Sequence, residues 1–77
     1  MPIFFFDVYD DLGAIDEEGV NLPSVAAARR MAIKSARCLA AEQVRNGRLA
    51  LNHGIEVRDG RKAVFTVRFA DAVAIEP

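Results

Sequence analysis

The stretch Pro23–Gly47, PSVAAARRMAIKSARCLAAEQVRNG, decides the fold. From Val25 to Asn46 it consists mostly of strong helix formers. Ser24 stands where an N-cap hydroxyl accepts an otherwise unpaired N–H of the first turn. Asn46-Gly47 supplies the stop, and basic Arg45 and Arg48 flank the negative end of the helix dipole. At 3.6 residues per turn, Val25, Ala28, Ala32, Ser35, Ala36, Leu39 and Gln43 share one stripe, with Arg30, Lys34, Arg37, Ala41 and Arg45 opposite. A stripe of small residues lets a helix approach a sheet closely, so the sheet must bring the large side chains.

On the N-terminal side, Ile3–Tyr9 (IFFFDVY) is aromatic and β-branched and ends at Asp10-Asp11-Leu12-Gly13, which predicts a strand and a turn. Its wholly apolar face, Phe4, Phe6 and Val8, is expected inward, because burying an unpaired Asp7 is costly. Ala14-Ile15 starts a short return strand, and Val20–Leu22 leads out after a second turn at Asp16–Gly19. On the C-terminal side Asn52-His53-Gly54 reads as a loop and Ile55–Arg58 alternates as a strand. Asp59-Gly60 predicts a type I′ hairpin turn. Lys62–Phe69 alternates again, with Ala63, Phe65, Val67 and Phe69 on one face. Ala70–Pro77 is a strand continuation or a packed tail.

The expected fold is therefore α+β: β-β-α-β-β over a single domain, 1–77, with a four-stranded antiparallel sheet and one long helix on one face. Strand order 2-1-3-4 keeps every neighbour antiparallel and is favoured over 2-1-4-3. The 77 residues leave no room for a second lobe, and the net charge of −1 argues against nucleic acid as the main partner. One cysteine, Cys38, excludes an intrachain disulfide and points to a reducing compartment. No apolar run approaches a membrane span, and the N-terminus has no basic region of a signal peptide, so a cytoplasmic protein without membrane contact is expected.

Charge is segregated along the chain. Residues 1–23 hold Asp7, Asp10, Asp11, Asp16, Glu17 and Glu18 and no Lys or Arg. Their spacing fits no calcium loop, and acidic turn residues that are solvated or bond their own backbone account for them. The basic helix row Arg30, Lys34, Arg37 and Arg45 is a candidate phosphate or protein contact, but no aromatic residue interleaves it to stack on bases. His53 and Cys38 are linked by no catalytic or metal-ligand spacing; His53 reads as an ordinary loop histidine and Cys38 as a small packing residue. No enzyme activity and no cofactor are expected. On the sheet face away from the helix, Ile3, Phe5, Tyr9 and Val64, with Arg68, form a candidate interface. One helix cannot cover two faces, and an apolar patch rimmed by polar groups marks association, unless the tail Ala72–Ile75 folds over it. A homodimer or a protein partner is expected there or at an open strand edge.

Several segments in this order resemble a known family. They are Phe4-Phe5-Phe6, Asp10 through Gly13, Asp16-Glu17-Glu18-Gly19 and Leu22-Pro23. The helix alanines Ala28, Ala32 and Ala36, then His53-Gly54-Ile55-Glu56-Val57 and Phe69-Ala70-Asp71-Ala72, complete the set. Together they look like the short uncharacterised proteins of alphaproteobacteria classed as a domain of unknown function. The resemblance implies a small α+β domain without assigned activity, and often a histidine where this chain has Asp7. A looser likeness to the antitoxins of small bacterial toxin systems implies, as the alternative, nucleic-acid or regulatory binding through the basic helix row.

Overall fold

The structure, a computed structural model, describes residues 2–77. The elements run β1 (Ile3–Tyr9), β2 (Val20–Asn21), α1 (Val25–Arg45), β3 (Gly54–Asp59), β4 (Lys62–Arg68) and α2 (Phe69–Ala72). The sheet order is β2-β1-β3-β4, all antiparallel, which is the favoured topology. The return strand, however, is Val20–Asn21 and not Ala14–Ile15. Ala14 makes only an isolated bridge to Val8, because the Asp16 side chain takes the next edge position of β1, accepting from Phe6 N–H at 3.1 Å.

Helix α1 begins where Ser24 Oγ accepts from Ala27 N–H at 3.1 Å. Ser24→Ala is expected to destabilise the protein by about 1 kcal/mol, read from urea unfolding, because that N–H then loses its acceptor. The buried row is Ala28, Ala32, Ala36 and Ala40; Val25, expected on it, is half exposed at the first turn. With only methyl groups between them, helix and sheet come close. α1 lies chiefly on β3 and β4, against Ile55, Val57 and Val67, while Phe4 fills the β1 side of the core.

The β3–β4 turn is Gly60-Arg61 rather than Asp59-Gly60. Gly60 alone carries a positive φ, +63°, at the first of two loop positions, as a type II′ turn requires and a type I′ turn does not. A bulge near the turn pairs Val57 with Phe65 but Arg58 with Ala63. Ala63 therefore leaves the Phe65 face and stands exposed on the Arg58 side. Phe69 is not the end of the strand. Asp71 Oδ2 accepts from Arg68 N–H at 3.0 Å and starts α2, which carries buried Phe69 and Ala72 beneath α1. The tail that follows lies beside α1 and not over the open sheet face, and Arg37 Nε donates to Ala72 C=O at 2.7 Å.

Candidate interaction surface

The sheet face away from α1 is built around an ion pair. Asp7, on β1, faces away from α1 as the alternation predicts, yet is buried at 7% exposure. Arg58, opposite on β3, clamps it with two hydrogen bonds, Nε to Oδ2 at 2.5 Å and Nη2 to Oδ1 at 3.0 Å. The same guanidinium donates to Asp16 C=O and Gly60 C=O, and it lies over the Phe5 ring at 4.9 Å. Asp7 Oδ1 also accepts from Asp16 N–H at 2.9 Å. Arg58 is the main cause that holds the Asp7 carboxyl below its ordinary value of 3.8, against the opposing effect of burial, with the Asp16 N–H helping. Asp16 is lowered as well, first by the Gly19 N–H, against burial, and then by the Phe6 and Glu18 N–H groups.

This network changes the candidate interface. Phe5 is half-buried under Arg58, so the centre of the face is polar and already satisfied. Ile3 at 43%, Val64 at 37% and Tyr9 at 59% exposure stand at its margins. Arg68 is held by the Asp71 carboxylate at 3.5 Å.

The two sheet edges differ sharply. The outer side of β1 is closed by β2, by the Val8–Ala14 bridge and by the Asp16 carboxylate on Phe6 N–H. On the outer side of β4 no strand pairs among the described residues. Phe69 N–H donates inward to His53 C=O at 2.7 Å, which sets the alternation. Val67 and Phe65 bond toward β3, and Thr66 and Arg68 point their backbone groups outward. The Arg68 N–H is capped by Asp71, which leaves Thr66 as the free donor in the regular part of the edge.

The domain of unknown function DUF6894 matches residues 3–70. The chain belongs to that family. Neither a curated protein nor a solved structure matches the sequence.

The remaining candidate residues of this DUF6894 chain spread over its surface. The basic row lies exposed along α1, but Arg37 is committed to Ala72 C=O and Arg45 pairs with Glu42. Arg29, on the same basic face of the helix, is engaged too: it lies over the Phe65 ring at 4.9 Å. Cys38 is exposed rather than packed, at the rim of an apolar groove of about 410 Å³ between α1 and β1 that Phe6, Val8 and Leu39 line. A second groove, about 450 Å³, runs between the end of α1 and the tail.

His53 is no ordinary loop histidine. It is buried, edge-on to Phe69, and joins three segments. Gln43 Oε1 accepts from Ala50 N–H at 2.8 Å, which turns its Nε2 toward His53 Nδ1 at 2.9 Å. Nδ1 is thus the acceptor, and Nε2 carries the proton toward Asp11, 3.4 Å away. Arg48 reaches the same carboxylate at 3.3 Å. This is a clasp between the acidic loop and the end of the helix. Among the described residues no group of three or more His, Cys, Asp or Glu could hold a metal, and no buried side-chain nitrogen or oxygen lacks a partner. No helix is long and apolar enough to cross a membrane among them.

Proposed function

We propose that this chain is a small, non-enzymatic association module of the bacterial cytoplasm that self-associates through the part of its sheet that α1 leaves uncovered. One observation carries this reading. The β4 edge, Lys62–Arg68, has free backbone groups and no strand paired on it among the described residues, whereas the opposite edge is closed by β2 and the Asp16 loop. An uncovered edge is a template for another strand. The centre of the open face supports association less well, because Arg58 already occupies Phe5 and Asp7. The antitoxin-like alternative through Arg30, Lys34, Arg37 and Arg45 is weakened by the intramolecular partners of Arg37 and Arg45.

The test is the mass in solution by light scattering from about 10 µM to about 500 µM, a span that brackets a weak dimer. The mass is expected to rise from one chain toward two. A single-chain mass at every concentration overturns the reading.

A further inference from the structure

We infer that the occupant of the β4 edge is a second copy of the chain, docked β4 against β4 in antiparallel register about a two-fold axis at Thr66, so that two four-stranded sheets become one of eight strands. This deepens the proposed self-association and rests on it.

Hydrogen-bond parity supplies the first argument. The outward-facing N–H and C=O of Thr66 can exchange both bonds with Thr66 of a second copy, as a two-fold centre on a bonded pair requires. The Arg68 N–H is already taken by Asp71, so the centre cannot lie there.

Side chains supply the second. Centring on Thr66 sets the two threonines opposite each other, a favourable cross-strand pair. It also sets Phe65 opposite Val67 of the second copy, twice, on the α1 side of the seam, where half-buried Phe65 supplies the apolar surface because Val67 is already buried in its own core. Val64 falls opposite Arg68, and the basic turn at Arg61 is brought toward the second copy's α2 carboxylate, Asp71. Centring one residue earlier, on Phe65, would set Lys62 opposite Arg68, a like-charge pair that costs stability. The charges of β4 thus select between neighbouring registers.

Two variants test this. Thr66→Pro removes an outward N–H that takes no part in the β3–β4 ladder, so the monomer fold should persist by circular dichroism. Its dimer dissociation constant is expected to rise about tenfold or more, since two hydrogen bonds are lost across the axis. Thr66→Cys in a Cys38→Ser background places two thiols on the axis, where paired Cα atoms stand about 5.5 Å apart, within disulfide reach. Mild oxidation is expected to link it into a covalent dimer, while Tyr9→Cys in the same background stays monomeric. A wild-type dimer that ignores Thr66→Pro, with no Thr66→Cys cross-link, overturns the β4 pairing and leaves self-association through another surface standing. A wild-type chain that is monomeric throughout overturns both.

Discussion

Gly54→Ala is expected to destabilise the protein by about 3 kcal/mol or more, a fall of about 15 °C in the thermal midpoint for a domain of this size. A Cβ at Gly54 would lie 2.2 Å from the Val67 carbonyl oxygen and 2.6 Å from Arg68 Cα. Both are backbone atoms of β4, so no side-chain rotation relieves the contact, and the β3–β4 seam itself must open. That seam holds Ile55 and Val67, both 2% exposed or less, and the Phe69 N–H to His53 C=O bond. Gly60→Ala is the control. A Cβ there meets nothing within 4 Å, and the only cost is the positive φ of +63°, about 1–2 kcal/mol. Thermal unfolding of the two variants separates the mechanisms. A Gly54→Ala protein no less stable than Gly60→Ala would show that the strands part freely at this point.

The contrast also explains what the sequence could reveal. Helix α1 was legible because its signals are local: Ser24 before the first turn, Asn46-Gly47 after the last, and alanines at repeating spacing. The strand order followed from the chirality-free requirement that consecutive segments pair antiparallel, with the helix carrying the chain across. Gly54 reads as a loop residue because nothing in Asn52-His53-Gly54 announces a neighbouring backbone. Close approach is a property of the partner strand. The II′ turn and the Val57/Arg58 irregularity are hidden for the same reason, since both are set by the β3–β4 pairing, whereas α2 starts at a local cap, Asp71 on Arg68 N–H, inside a stretch whose alternation reads as strand.

The candidate surface was legible by type more than by residue. Alternation correctly put Phe5 and Asp7 on the side away from the helix, but it could not show that Arg58, fifty-one positions later, reaches Asp7 and covers Phe5. The signal available was weak: an acid and a base on the same face of two strands that pair. The burial of His53 is hidden in the same way, since its partners Gln43 and Asp11 come from the helix and the acidic loop. Of the six acidic residues in the first 23, Asp10 and Asp16 did behave as expected. Asp10 accepts from Leu12 and Gly13 N–H, and Asp16 from Glu18 and Gly19 N–H.

Asp7→Ala is expected to cost about 2–3 kcal/mol, a value discounted for the partial solvent access of the guanidinium it leaves behind. The loss has two parts. Arg58 gives up two charge-assisted hydrogen bonds, and Asp16 N–H gives up its acceptor. Because the acidic loop is tied to β1 through these bonds, amide exchange should quicken from Asp10 to Gly19 before it does so in β3. The pH dependence follows from the direction of the shifts. Asp7 and Asp16 have folded values below the ordinary 3.8, so their contribution is fully present above that value and is lost as pH falls through the folded values. Wild-type unfolding free energy from urea titrations should therefore be nearly level between about pH 7 and pH 5 and drop below about pH 4. The Asp7→Ala protein should start lower and fall less steeply, so that the two curves converge in acid. Curves displaced by a constant amount at every pH would mean that Asp7 acts through its shape alone, and that the Arg58 contact carries no charge-dependent stability.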